Sequence, residues 1–186
     1  MNHSRQDWKR AVIPGLALAA LASAGAASAT VGPKLPKDPC ALLKPTEIQA
    51  ALAPSATIGA GVPANDMAPL GVSCDYIWGP HTPQWGESSV TVTVLDVSQA
   101  YPGLSADQIA QGVRAQAMAK DATVSTSLIS GVGDAAVFKF EARPFNATGE
   151  AFLAGKGVYL SVQFHGGNPG TKDKVIALLK QAAGRL

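Results

Sequence analysis

Two histidines that follow residue 29, His81 and His165, are the side chains best suited to acid–base chemistry near neutral pH. His165 ends a segment of alternating polarity in which Tyr159 and Ser161 fall on the same face. A histidine beside hydroxyl groups can assist hydrolysis, so one interpretation is a hydrolase site near His165. This interpretation requires a concave pocket in which a carboxylate or a hydroxyl lies within hydrogen-bond reach of His165.

His81 belongs to a loop that carries large aromatic side chains. The segment GPHTPQWGE occupies 79–87, between two predicted strands. Aromatic side chains on a loop rich in Pro and Gly can form a contact surface for a ligand or a partner. In the alternative interpretation, one or both tryptophans fold back over the sheet edge. The candidate binding surface consists of Trp78, His81, Trp85, Tyr159 and His165.

The sequence carries no motif for metal or cofactor chemistry. It has no His-x-x-x-His pair and no cysteine cluster, whereas a catalytic zinc site needs three protein ligands. It has no Gly-x-Ser-x-Gly nucleophile turn, and the glycine-rich segment 130–134 lacks the Lys-Ser/Thr and the helix of a phosphate-binding loop. We therefore predict no metal, no cofactor and no catalytic residue.

Capping and periodicity predict the elements that hold these residues. One helix is predicted from a capping box at Thr46 and Gln49, and a second from a capping box at Ser105 and Gln108. A third helix, 171–186, has a continuous apolar face. Alternation of apolar and polar residues predicts strands at 73–78, 88–97, 123–129, 135–141 and 152–164.

This order of elements predicts an α+β fold. Runs of antiparallel strands with helices between them favour an antiparallel sheet that is covered by helices on one face. Gly71-Val72 before the first hairpin matches Gly131-Val132 before the second. The match suggests an internal α-β-β repeat.

The first 29 residues have the composition of a cleavable signal peptide. Arg5, Lys9 and Arg10 precede an apolar stretch at 11–21, and the segment ends in Ala-Ser-Ala at 27–29. A membrane anchor is the alternative, but a span needs about 20 strongly apolar residues. We predict cleavage after Ala29, a linker at 30–37, a single α+β domain at 38–186, and a periplasmic or secreted protein without a membrane span.

Removal of this segment also changes the charge balance. It takes three basic residues and one acidic residue from totals of 15 and 13, which leaves 12 of each. A neutral domain offers no electrostatic basis for binding nucleic acid. The predicted partner is instead an unidentified protein or a small ligand.

The domain contains two cysteines, Cys40 and Cys74. In an oxidising compartment an even number of cysteines favours a structural disulfide. A redox-active pair and a pair of metal thiolates are the alternatives, and a redox pair is usually spaced as Cys-x-x-Cys.

Three motifs resemble a class of small exported bacterial domains, many of them actinobacterial lipoproteins of unknown function. The segment DPCALLKPTEI at 38–48 is similar to their PCALLTxxE start, Cys74-Asp75-Tyr76 to their C-x-Y/W strand, and GVGDA at 131–135 to their GxGDxA turn. The resemblance implies a shared α+β fold and a disulfide between the two cysteine positions, and it supplies no activity. This chain lacks the lipidated cysteine of the lipoproteins.

Three functions are consistent with these observations. The first is an exported, non-catalytic binding or envelope-associated protein, which the missing catalytic motifs favour. The second is the hydrolase near His165. The third is a structural envelope component that assembles through a sheet edge.

Overall fold

Seven strands form one antiparallel sheet, in the order β1-β2-β3-β7-β6-β5-β4, in the computed structural model of the chain. The structure describes residues 35–64, 68–79, 88–121, 123–142, 145–166 and 169–186. The strands are β1 (Val62–Ala64), β2 (Gly71–Trp78), β3 (Ser88–Asp96), β4 (Ser125–Ile129), β5 (Ala135–Ala142), β6 (Phe145–Leu153) and β7 (Val158–His165). The helices are α1 (Pro45–Leu52), the single turn α2 (Val97–Ala100), α3 (Ala106–Lys120) and α4 (Lys172–Arg185). These elements confirm the predicted α+β class.

The last strand of the chain, β7, lies in the centre of the sheet. It pairs with β3 on one side, where Val92 is opposite Val162, and with β6 on the other, where Gly149 is opposite Val162. The strands β1 to β3 therefore form one half of the sheet and β4 to β6 the other half. Within the described residues, strand pairing connects the two halves through β7 alone.

The main hydrophobic core lies on the sheet face that α1 and α4 cover. Alternate residues of the strands point into it, among them Tyr76, Val92 and Val162, each at most 1% exposed. Because Gly149 has no side chain, α4 can approach the sheet at this point. A Cβ atom on Gly149 would lie 3.2 Å from Cδ2 of Leu179. The predicted apolar face of the last helix is confirmed by the burial of Val175, Leu178, Leu179 and Ala182.

A second, smaller core lies on the opposite face of the sheet. Ile109 of α3 packs with Val137, Phe152 and the ring of Tyr159, which alternate with residues of the main core along β5, β6 and β7. The prediction that the helices lie on one face is therefore wrong, because α3 also carries an apolar stripe that must be buried. The helices that follow β3 and β7 thus cover different faces, and the internal repeat is not confirmed.

Two predicted elements have different bounds in the structure. The first helix begins at Pro45, and its N-cap is Lys44, whose backbone N–H donates to Oε2 of Glu47 at 2.8 Å, so the N-cap is not Thr46 as predicted. The capping box at Ser105 and Gln108 is confirmed. The strand predicted at 152–164 is two strands, β6 and β7, joined by a 3-10 turn at Ala154–Lys156, and β6 begins seven residues earlier, at Phe145.

The segment before α1 is tied to the sheet by a disulfide. Cys40, in a 3-10 turn at Pro39–Leu42, is bonded to Cys74 of β2, and their Cα atoms are 5.2 Å apart. The hydroxyl of Tyr76, two residues along β2, donates hydrogen bonds to the carbonyl oxygens of Cys40 and Leu43. Burial is the main reason why the pKa of Tyr76 is raised to about 12. The disulfide prediction is confirmed.

An ion pair joins the last helix to the first. The guanidinium of Arg185 donates two hydrogen bonds to the carboxylate of Glu47, at 2.7 and 2.5 Å, and a third at 2.9 Å to the carbonyl of Leu42. The hydrogen bonds from Arg185 hold the pKa of Glu47 down at about 2. The two ends of the described domain are therefore in direct contact.

The predicted signal peptide at 1–29 lies outside the described residues. Of the predicted linker at 30–37, residues 35–37 are described, and Leu35 packs against the main core. Within the described ranges, no helix combines the length and the apolar character that crossing a bilayer requires.

Candidate functional site

Four side chains from four neighbouring strands line up at one end of the sheet. Ser89 of β3 is opposite His165 of β7, His165 is opposite Asn146 of β6, and Asn146 is opposite Glu141 of β5. Strand alternation places all four on the face that carries the second core. We call Ser89, His165, Asn146 and Glu141 the histidine row.

Hydrogen bonds within the histidine row fix the imidazole of His165. Its Nδ1 lies 2.8 Å from Oδ1 of Asn146, and Nδ2 of Asn146 donates to Oε2 of Glu141 at 3.4 Å. Because an amide oxygen can only accept, this orientation of Asn146 requires the proton of neutral His165 to be on Nδ1. The other ring nitrogen, Nε2, is then a hydrogen-bond acceptor.

Asn146 is the anchor of this arrangement. It is 8% exposed, whereas His165 is partly exposed. A buried amide that lost its partners would cost about 1–3 kcal/mol, so its two hydrogen bonds favour the orientation that the structure has. The histidine ring is therefore held by a buried polar group before any ligand arrives.

The sheet surface around the histidine row is polar and partly exposed. Thr91 donates to a carboxylate oxygen of Asp75 at 2.7 Å, and Thr148 and Gln163 are partly exposed on the same face. Among the described elements, α2 and α3 pack on this face, and the apolar residues that they cover lie at the other end of the strands. The row end of the sheet thus presents hydrogen-bonding side chains of both donor and acceptor type.

The structure does not bring the described members of the predicted surface together. Trp78 is 8% exposed and lies on the opposite face, where its ring stacks on Phe164 with the centroids 5.8 Å apart. Tyr159 is six residues from His165 along β7, about 20 Å away at the rise of a strand. Trp78 therefore agrees with the alternative interpretation, in which a tryptophan folds over the sheet.

His81 and Trp85 lie outside the described residues. Their segment, 79–87, connects Trp78 of β2 with Ser88 of β3, and these two residues are paired at the end of the sheet that carries the histidine row. The prediction that the loop contributes to a binding surface therefore stays a prediction.

Tyr159 belongs to a buried cluster beneath α2 and α3. Its ring contacts Phe152, with the centroids 5.2 Å apart, and Tyr101 at 6.4 Å. Burial raises the pKa of Tyr159 well above its ordinary value, and the nearby carboxylate of Glu150 raises it further. Glu150, which is 3% exposed, is paired with the ammonium group of Lys139. The carboxylate of Glu150 and the ammonium group of Lys139 thus neutralise each other, and neither is the hydrogen-bond partner that the structure gives His165.

The hydrolase interpretation required a carboxylate or a hydroxyl within hydrogen-bond reach of His165. The hydrogen-bond partner that the structure gives His165 is instead the carboxamide of Asn146. In the described part of the chain, no group of three His, Cys, Asp or Glu side chains is placed to hold a metal ion.

Sequence reasoning did not identify Asn146 or Glu141 as functional residues. Both lie where β5 and β6 meet, and the sequence analysis placed no strand at 145–151. Asn146 and Thr148 alternate with the buried Ala147 and Gly149, a pattern that could have indicated the start of β6. The breakers Pro144 and Gly149 obscured it.

The comparisons with known proteins assign neither a family nor a function to this chain. No protein-family model, no curated protein and no solved structure matches the chain. The resemblance to exported bacterial domains therefore stays a prediction, carried by the three short motifs alone.

Proposed function

We propose that this protein is an exported, non-catalytic binding domain and that the histidine row is the centre of its binding site. The observation that carries the proposal is the imidazole of His165, held in one orientation by the buried amide of Asn146 among polar side chains that are partly exposed. Side chains fixed before binding lose less conformational entropy when a ligand binds. Export follows from the signal peptide proposed for 1–29, and N-terminal sequencing of the mature protein should begin at Thr30.

The chemistry of the row favours an uncharged ligand with many hydrogen-bonding groups. Nε2 of His165 can accept a hydrogen bond, and Gln163 and Thr148 on the same face can both donate and accept. The domain after residue 29 has equal numbers of basic and acidic residues. A neutral glycan of the bacterial envelope, which carries hydroxyl and amide groups, has this chemistry.

The test is a titration with the tetramer of N-acetylglucosamine, followed by NMR of the His165 ring and of the backbone amides of β7. We expect saturable shifts confined to the row end of the sheet. His165→Ala should weaken binding about tenfold, the effect of losing roughly 1.4 kcal/mol. The control is Thr93→Ala on the same face, four residues along β3 from Ser89, which should leave the affinity unchanged.

Two outcomes would contradict the proposal. One is the absence of saturable shifts at the row while the protein is folded. The other is an equal loss of affinity in His165→Ala and Thr93→Ala, which would show that the row has no special part in binding.

A hydrolase is the second candidate, because the Asn146 contact makes Nε2 of His165 the basic nitrogen of the ring, on the strand position opposite Ser89. Hydrolysis of p-nitrophenyl acetate separates the two functions. The binding proposal expects the same slow rate for the unmodified protein and for His165→Ala. A rate that falls at least tenfold in His165→Ala would favour the hydrolase instead.

A further inference from the structure

A small pocket lies at the edge strand β4, on the face of the sheet that carries the main core. Its volume is about 250 Å³, and we call it the β4 pocket. The residues that line it are Ser125, Thr126, Ser127, Phe138, Phe140 and Lys172. It is separate from the histidine row, whose side chains lie on the other face.

The floor of the β4 pocket is aromatic. Phe138 and Phe140 are 4% and 7% exposed, and they are opposite Ser127 and Ser125 of the edge strand β4. The opposed pairs share one face of the sheet, so two hydroxyl-bearing side chains stand beside two phenyl rings. Such a site offers apolar contact to one part of a ligand and hydrogen bonds to another.

A positive charge stands over this floor. The ammonium group of Lys172, the first residue of α4, lies 5.7 Å from the centroid of the Phe138 ring. The ion pairs of the described residues are Lys139 with Glu150 and Arg185 with Glu47, so no described carboxylate neutralises Lys172. The pocket therefore has a net positive character.

The β4 pocket also contains a polar atom that lacks a partner. Oγ of Ser127 is buried and makes no hydrogen bond within the described ranges. A buried hydroxyl without a partner costs free energy, and a ligand acceptor could recover it once the Ser127 side chain rotates about χ1 to turn the hydroxyl into the pocket. The hydroxyl and the ammonium group both complement an anionic oxygen.

We propose that the β4 pocket binds a small organic monoanion, a carboxylate with an aromatic or short aliphatic body. The body packs on Phe138 and Phe140, and the carboxylate pairs with Lys172 and accepts a hydrogen bond from Ser127. The volume limits the ligand to a single ring or a short chain, since drug-sized sites usually have about 300–1,000 Å³.

The experiment compares benzoate with three probes on the unmodified protein, using the backbone amide shifts of β4 and of Lys172. Hexanoate tests the aliphatic body, benzyl alcohol lacks the charge, and acetate lacks the apolar body. We expect saturable shifts with benzoate and hexanoate. Benzyl alcohol and acetate should each bind at least tenfold more weakly than benzoate.

Variants then assign the contacts. Lys172→Met should weaken benzoate binding at least tenfold, whereas Lys180→Met, on the exposed side of the same helix, should not change it. Ser127→Leu should fill the pocket and abolish binding, and circular dichroism checks that each variant is folded.

The proposal is overturned by any of three results. These are no saturable shift at β4 with benzoate, equal binding of acetate and benzoate, or equal affinities in folded Lys172→Met and Lys180→Met. Because the first two use the unmodified chain, a variant that fails to fold does not prevent the test. A negative result for the β4 pocket would not count against the histidine row, since binding at the row is measured by the amide shifts of β7.

Discussion

Breaking the disulfide should destabilise the domain by about 4 kcal/mol. The bridge joins Cys40 and Cys74, which are 34 residues apart in sequence. In the chain-entropy model, a closed loop of this length restricts the unfolded chain by about 4 kcal/mol at 25 °C. For a domain of this size, that corresponds to a fall in Tm of roughly 8–16 °C.

Urea unfolding, monitored by tryptophan fluorescence, measures this effect. The oxidised protein is compared with the same protein in a phosphine reductant and with a Cys40→Ala/Cys74→Ala variant. The reduced protein should unfold at a lower urea concentration and with a steeper dependence on urea, because its unfolded chain exposes more surface. The double variant should unfold at the same urea concentration with and without reductant, which controls for other effects of the reductant.

The size of the change decides whether this reasoning holds. A loss below about 1 kcal/mol would mean that the unfolded chain is already restricted around this loop, and the entropic account would be refuted. A loss well above 4 kcal/mol would mean that the bridge also supports native contacts, such as those of the Tyr76 hydroxyl with Cys40 and Leu43.

Two further predictions concern stability. The pKa of Glu47 is lowered from 4.5 to about 2, so its pairing with Arg185 stabilises the fold above pH 4.5 and is lost as the pH falls toward 2. Glu47→Gln should therefore cost about 1 kcal/mol in urea unfolding at pH 7, after allowance for solvent screening, and much less at pH 2. Equal losses at both pH values would contradict this assignment. Gly133→Ala should cost more than Gly131→Ala in thermal unfolding. Both glycines have positive φ, but only at Gly133 would a Cβ atom meet backbone, the carbonyl oxygen of Phe152 at 2.8 Å. Equal Tm values for these two variants would show that this close approach does not matter.

Periodicity and capping were enough to predict most of the elements. The alternation in β3 correctly predicted a strand with one apolar face, and Val92 on that face is fully buried. The capping box at Ser105 correctly placed the start of α3. These signals are local, so they do not depend on how the elements are arranged in space.

The arrangement of the elements depends on contacts between residues that are distant in sequence. Nothing near Ile109 indicates which sheet face α3 covers, since that depends on where Val137 and Phe152 lie. The N-cap was predicted two residues too late, at Thr46 instead of Lys44, because Thr46 and Gln49 match the spacing of a capping box.

The candidate site was predicted only in part. His165 was identified from its residue type and its place in an alternating strand. Its partner Asn146 is 19 residues earlier in the sequence, and their contact depends on the register of β6 against β7. The β4 pocket combines residues of β4, β5 and α4, and no spacing in the sequence indicates that Phe138 and Lys172 meet.

The central position of β7 has a consequence for the order in which the chain can fold. The chain emerges from its N-terminus, both from the ribosome and in the proposed export, so β1 to β3 and then β4 to β6 are present before the eight residues of β7. Until then β3 and β6 each present an open edge that other chains could pair with. A chain that has emerged only as far as Leu153 lacks the strand that pairs with both β3 and β6. Completion of the sheet must therefore wait for nearly the whole chain to be synthesised, and chaperones that keep nascent chains apart would have most effect in this interval.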